Sequence, residues 1–371
     1  MTDSFAPRTG TAALGDGRQP FALGVFGANA QRGLITSNVP GTLDLTWSNT
    51  DSIARQADEL GWELLLPFAR WRGYGGTQDM NATVYETFTW AAALAARTRQ
   101  ITVSATVHAS AIHPVVAAKM ATTVDHASDG RFAVNLVMGW FPHEQAMFGT
   151  EALPHDTRYQ YGEEWLDIVR KLWTETEPFD YRGDHFSITA GQAQPKPLGG
   201  RSPAVINAGA SPAGISFSAR HADINFCSIM DPEAAATQVE HISTLAAEAG
   251  RSIDVMTYGT VFCADTEAEA RAKYDEVLEH ADWETANIVM DLIGINSGSY
   301  SEQLARVRER FITSGGGFPL VGTPDQITET LVAIRDSGIK GMVFGFVDHA
   351  KEMQYFGERV MPRLVDAGLR V

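Results

Sequence analysis

A carboxamide in the middle of an apolar run is the first side chain here with chemistry to offer. Residues 132–138 read Phe-Ala-Val-Asn-Leu-Val-Met, and such a run, covered on both faces, belongs in a parallel sheet. Asn135 within it must find hydrogen-bond partners from protein, ordered water or a ligand. The apolar loop that follows, Gly139-Trp140-Phe141-Pro142, begins where a β/α protein keeps its binding site, at a strand's C-terminal end. Taken alone, the segment suits a satisfied core amide and a ligand contact equally.

Three more stretches add to it. Ala208-Gly209-Ala210-Ser211-Pro212 follows a strand, with Ser211 as helix cap and Pro212 opening the helix. Free backbone N–H groups at a helix start, with glycine allowing close approach, hold phosphate, although an ordinary capped helix carries the same signature. Arg158-Tyr159 supplies a cation and a hydroxyl ahead of another helix. The segment 66–76, Leu-Pro-Phe-Ala-Arg-Trp-Arg-Gly-Tyr-Gly-Gly, offers backbone amides, two arginines, aromatic rings and flexible glycines. Together these suit a flat, polar-edged, phosphorylated cofactor better than a sugar or a metal. Hydrolytic chemistry is disfavoured. His143-Glu144-Gln145-Ala146-Met147 has methionine where a zincin helix needs its second histidine, so no metal site is expected. There is no G-x-S-x-G elbow. His108 and His113 lack a carboxylate-rich partner pattern, and Glu163-Glu164 reads as a solvated pair.

The elements that must position these residues alternate. Strands are expected at 21–26, 62–66, 101–107, 132–138, 204–207, 223–226, 255–264 and 341–346. Helices are expected at about 50–60, 81–96, 114–127, 159–172, from 212, 232–249, 323–337 and 351–365. Thr323-Pro324-Asp325-Gln326 places a capping hydroxyl, a first-turn proline and a reciprocal glutamine. Eight βα units point to a (β/α)8 TIM barrel with insertions. A doubly wound open sheet is the alternative, and no Gly-rich fingerprint after the first strand supports it. Residues 1–20 read as a flexible arm and 21–371 as a single barrel domain. Residues 174–194 read as an inserted hairpin around Arg182-Gly183-Asp184. Residues 266–318, ending in Gly315-Gly316-Gly317, are too long for a plain loop and suit a mobile lid with a glycine hinge.

Composition removes other classes. The 371 residues carry 29 Lys+Arg against 45 Asp+Glu, a net charge of −16, which opposes nucleic-acid binding. No apolar run is long enough to span a membrane. No secretory signal pattern opens the chain, so a cytoplasmic protein is expected. Two cysteines, Cys227 and Cys263, cannot make a disulfide framework.

The chain resembles the bacterial luciferase-like, flavin-dependent monooxygenases over nearly its whole length. The likeness is carried by segments 69–76, 130–140, 155–159 (His-Asp-Thr-Arg-Tyr), 217–220 (Phe-Ser-Ala-Arg) and 355–359 (Tyr-Phe-Gly-Glu-Arg). Within that family it is most similar to pyrimidine monooxygenases, then to dimethylsulfone and alkanesulfonate monooxygenases. The resemblance implies reduced FMN, supplied by a separate NAD(P)H-dependent flavin reductase, with O2 as co-substrate. It implies Ala69 and Arg70 against the flavin ring, Asn135 at its polar edge, Glu144 close by, and Arg158, Tyr159 and Ser211 at the phosphate. It also implies an oxygen pocket of Leu66, Thr106, Asn135 and Trp140, with a flavin-N5 peroxide as reactive species. The substrate would be a small polar heteroatom compound such as a cyclic amide, pyrimidine, sulfone or sulfonate, and the assembly a homodimer or homotetramer. The loops at 27–36 and 107–110 depart from the pyrimidine enzymes, which makes Arg32 and His108 candidate substrate contacts. A deazaflavin-dependent oxidoreductase on the same barrel, or a flavin-binding protein without turnover, are the alternative functions.

Overall fold

A computed structural model describes residues 14, 19–149, 153–294 and 302–371. Most of the expected arm at 1–20 therefore lies outside the described residues. The strands are β1 (Ala22–Phe26), β2 (Leu64–Leu66), β3 (Thr102–His108), β4 (Phe132–Val137), β5 (Phe179–Arg182) and β6 (Ser187–Gly191). They continue as β7 (Ala204–Asn207), β8 (Ile224–Phe226), β9 (Asp254–Cys263), β10 (Leu320–Gly322) and β11 (Gly341–Gly345). Helices α1 (Trp47–Glu59), α2 (Thr87–Ala95), α3 (Pro114–Ala127), α4 (Pro142–Met147) and α5 (His155–Thr174) cover the first half. The second half carries α6 (Pro212–His221), α7 (Pro232–Glu248), α8 (Glu267–Glu279), α9 (Trp283–Leu292) and α10 (Glu302–Ser314). Helices α11 (Pro324–Asp336), α12 (His349–Arg359) and α13 (Met361–Asp366) complete it.

Eight strands close a parallel barrel in the order β1-β2-β3-β4-β7-β8-β9-β11, with β11 pairing back onto β1. This is the expected (β/α)8 architecture. An antiparallel pair, β5 and β6, stands apart from it. The short β10 pairs in parallel alongside the end of β9, Leu320 lying beside Val261.

Side-chain alternation decides which residues reach the interior. In β4, Phe132, Val134 and Leu136 pack outward with the helices, whereas Ala133 belongs to the inner cluster with Leu64, Leu66, Ile206 and Met256. Asn135 shares the parity of Ala133 and so points inward. In β3, Val103, Ala105 and Val107 face the helices, leaving Ser104, Thr106 and His108 for the inside. Parallel register places Thr106 beside Asn135. Two inward polar residues thus become neighbours.

Local signals set most helix ends. The Thr323 hydroxyl accepts from the Gln326 amide while the Gln326 side chain accepts from the Thr323 amide, the reciprocal box expected. Two expected starts miss by a turn or more, α5 beginning at His155 rather than 159 and α2 well after 81. Helix α2 begins at Thr87, because Asn81 sits at φ 61°, which a right-handed helix cannot contain. Glu86 caps it instead, accepting from the amides of Phe88 and Thr89. The last expected helix is two pieces, the second restarting with Pro362 in its first turn.

Candidate active site

A cavity of about 670 Å3 opens at the C-terminal end of the barrel. Its first wall is the loop between β7 and α6. Ser211 caps α6, its hydroxyl accepting from the Gly214 amide at 3.2 Å. The loop is held from below. Asn207 Oδ1 accepts from the Gly209 amide (2.9 Å) and the Ser218 hydroxyl (2.7 Å), while Nδ2 donates to the Leu136 carbonyl (2.6 Å). Asn225 Nδ2 donates to Ser218 Oγ at 3.1 Å. Close approach demands glycine twice: a Cβ on Gly209 would lie 2.6 Å from Gly214 Cα, and one on Gly214 would lie 2.5 Å from the Tyr159 hydroxyl. From the first turn of α5, Arg158 Nη1 donates to the Gly139 carbonyl at 3.1 Å, while its buried Nε has no partner among the described residues. Loop residues at a helix start, a guanidinium and a phenol thus line one cavity, a set of groups chemically able to hold a phosphate dianion.

Asn135 forms a second wall, and its orientation follows from its neighbour. The Thr106 hydroxyl donates to the Pro67 carbonyl at 2.6 Å, an oxygen that can only accept. Thr106 Oγ1 can therefore only accept from Asn135, whose Nδ2 donates to it at 3.0 Å. Asn135 Oδ1 is left without a partner among the described residues, although the side chain is 5% exposed and lines the cavity. A buried carbonyl left unpaired costs about 1–3 kcal/mol. The site holds an acceptor waiting for an N–H.

Arg70 makes the third wall. Its Nη1 donates to Glu144 Oε2 at 2.9 Å, and the Trp71 amide donates to Glu144 Oε1 at 2.8 Å. The guanidinium lies 5.0 Å from the ring centre of Tyr74 and 5.2 Å from that of Trp140. His108 Nδ1 stands 3.5 Å from Glu144 Oε2. Burial, assisted by the Arg70 charge, pushes the His108 pKa down to about 3, so its ring is neutral. The Glu144 charge is therefore committed to Arg70.

The remaining wall is apolar. Phe26 of β1 contacts Phe68 (ring centres 4.4 Å apart), Phe226 of β8 (5.4 Å) and Tyr258 of β9 (5.3 Å), forming an aromatic floor. Val289 and Leu292 of α9, Ile293 just beyond, and Phe311 of α10 line the cavity as well. Burial pushes the Tyr258 phenol up to about 12, and its hydroxyl donates to the Gly315 carbonyl at 3.3 Å.

A family model described as luciferase-like monooxygenase matches residues 22–341. The chain belongs to the luciferase-like monooxygenase family. It is 32% identical to an FMNH2-dependent dimethylsulfone monooxygenase of Pseudomonas fluorescens (strain Pf0-1), over 90% of this chain and 92% of that one. It is also 32% identical to a pyrimidine monooxygenase of Pseudomonas savastanoi pv. phaseolicola (strain 1448A / Race 6), over 92% of this chain and 95% of that one. Among solved structures, a long-chain alkane monooxygenase superposes with a TM-score of 0.84 at 21% identity, covering 95% of this chain and 93% of that one. That last likeness speaks for the fold alone.

Within this luciferase-like barrel, Ala69, Arg70, Thr106, Asn135, Trp140, Arg158, Tyr159 and Ser211 all line the cavity. Leu66 does not. It ends β2 fully buried in the inner cluster, beneath Pro67 and Phe68, which do line it. Glu144 also stops short of the cavity, behind Arg70. Of the two candidate substrate contacts, His108 lines the cavity and Arg32 does not. Sequence reasoning missed Asn207, Ser218 and Asn225, which hold the phosphate-type loop. Asn207 and Asn225 alternate with the inward Ile206, Ile224 and Phe226, so the available signal was an amide at a helix-facing position of each short apolar strand. It also missed Asn81, a cavity residue in a loop taken for helix.

Proposed function

We propose that this chain is the oxygenase of a two-component system, receiving reduced FMN from a separate NAD(P)H-dependent reductase and using O2 on a small heteroatom compound. Cyclic amides and sulfones are the classes its relatives suggest. The observation that carries the reading is Asn135 Oδ1, a buried acceptor without a partner among the described residues, in the same cavity as Arg158, Tyr159 and the Ser211 loop. A reduced flavin fits this pair, having N–H donors on its ring and a phosphate at its tail. When bound, FMN supplies the reaction with O2, and the protein supplies binding, orientation and shielding.

The residues divide that work. Ser211 with its loop amides, Arg158 and Tyr159 would hold the phosphate, and Ala69 and Arg70 would bear on the ring. Glu144 keeps the Arg70 guanidinium in place through a buried ion pair, the two side chains 9% and 3% exposed. Asn135, fixed by Thr106, would accept from a ring N–H. Thr106 and Trp140 exclude water beside it, and Leu66 supports that corner from below. His108, neutral at working pH, presents no cation to the ring. A cytoplasmic location suits supply of reduced flavin by an NAD(P)H-dependent partner, and a homodimer or homotetramer is the assembly we expect.

The test is oxygen uptake with reductase, FMN and NAD(P)H on a panel of cyclic amides and sulfones. Substrate loss should need all components together, and turnover under strict anaerobiosis would sink the reading. In Asn135→Ala and Thr106→Leu, oxygen uptake should persist while product falls and free peroxide rises. Wild-type coupling in both would remove their assigned roles.

A further inference from the structure

We propose that the substrate chamber beside the flavin site takes an uncharged fused-ring nitrogen heterocycle bearing a lactam N–H, and that Asn81 selects it by accepting that N–H. This rests on the reading of the site as a flavin monooxygenase and names its substrate class.

Asn81 lines the cavity, is 4% exposed, and has no partner for Oδ1 among the described residues. Its side chain also meets the buried Tyr74 hydroxyl, and Oδ1 is the atom left without a partner. The loop carrying it is pinned on both sides. The Gly75 amide donates to Asp79 Oδ1 at 2.6 Å, and the Gln78 amide donates to Asp282 Oδ2 at 2.8 Å. The Thr36 hydroxyl meets Met80 Sδ at 3.0 Å. Asn81 itself holds φ 61°, a conformation asparagine tolerates better than most residues. It cannot swing out to solvent without dismantling the loop. An acceptor buried this way is left for a ligand donor.

The rest of the chamber states what surrounds that donor. The same cavity is lined by the aromatic floor around Phe26 and by aliphatic side chains of α9, surfaces that favour a flat apolar ring. Among the described residues, the arginines lining the cavity are already committed: Arg70 is bound to Glu144, and Arg158 is the residue proposed to hold the phosphate. A sulfonate entering the chamber would meet no free counter-charge and would lose its hydration. A single-ring pyrimidine would satisfy Asn81 while leaving much of the aromatic floor uncovered. A fused lactam does both.

Calorimetric titration of the FMN-loaded enzyme with carbostyril, N-methylcarbostyril, uracil and naphthalenesulfonate tests this. FMN occupancy is read separately by quenching of flavin fluorescence. Carbostyril should bind tightest, about tenfold better than its N-methyl derivative, the worth of one buried hydrogen bond. Asn81→Gly, which tolerates the positive φ, should erase that preference, and Asn81→Asp, which keeps an acceptor, should retain it. Equal binding of the two lactams by wild type would overturn the proposal, as would an undiminished preference in Asn81→Gly. Tightest binding by uracil or by naphthalenesulfonate would also overturn it. Failure to bind FMN at all would instead sink the flavin reading on which it rests.

Discussion

In the proposed reading Thr106 orients Asn135 as well as excluding water, and a substitution that keeps its volume should expose the first role. Thr106→Val keeps the volume but frees the Asn135 amide to rotate, so FMN affinity should fall by about tenfold, one hydrogen bond's worth, with the fold intact. Fluorescence titration checks it, and unchanged affinity would show that the Pro67–Thr106 relay does not set the amide. Arg158→Ala should weaken FMN by about ten- to a hundredfold while leaving riboflavin, which lacks the phosphate, little altered. Equal losses for both ligands would move Arg158 away from the phosphate. At this scale the sequence was informative where chemistry contradicted its surroundings. Asn135 stood out because an amide interrupted an apolar strand. Asn81 did not, because a polar residue at an expected helix start raises no question until burial is known. The arrest of Glu144 behind Arg70 was equally invisible, since nothing in the spacing of 70 and 144 says which side chain reaches the cavity.

The loop from Asn207 to Gly214 behaves as one piece, because its amides, Ser218 and Asn225 share one hydrogen-bond network. Gly209→Ala should break it: the new methyl group would lie 2.6 Å from backbone that cannot yield cheaply. We expect a loss of about 1–3 kcal/mol in stability, together with a larger loss of FMN than of riboflavin affinity. A thermal melt and the paired titrations read the two effects. Glu144→Gln leaves Arg70 buried without its counter-charge and should cost about 3–5 kcal/mol, visible as a lower denaturation midpoint. A midpoint within error of wild type would show that the pair is dispensable. Element order was almost fully legible, since capping motifs such as Thr323–Gln326 and the apolar runs speak locally. The start of α2 was not, because the left-handed turn at Asn81 is imposed by packing against α9 and Thr36.

Two buried histidines tie the whole fold to pH. Burial lowers His108 to about 3 and His349 to about 4, and neither His349 ring nitrogen has a partner among the described residues. Both folded values lie below the ordinary 6.5, so below that pH the unfolded chain binds the protons that the native state refuses. Their stabilising share is complete above the ordinary value and is lost as pH falls through it toward the folded values. Asp125, Asp254 and Glu352, raised by burial, act in the opposite sense, so a single-site variant is the clean readout. Between about pH 7 and about pH 5, His349→Leu should lose stability less steeply than wild type, by up to about 1.4 kcal/mol per pH unit. Parallel denaturation curves would show that His349 titrates freely. The barrel itself was legible from eight alternating units, whereas the inner packing that buries His349 against Phe346 joins segments no local pattern links.

The inward parity of β3 and β4 also restricts how such a chain can drift over generations. Loss or gain of one codon within either strand would turn Asn135 or Thr106 toward the helices and push a valine or leucine into the cavity. Length changes there are tolerable only in twos, whereas the connecting loops can grow by any number. New specificities on this scaffold should therefore arise by remodelling loops such as the one holding Asn81, while the strands keep their count.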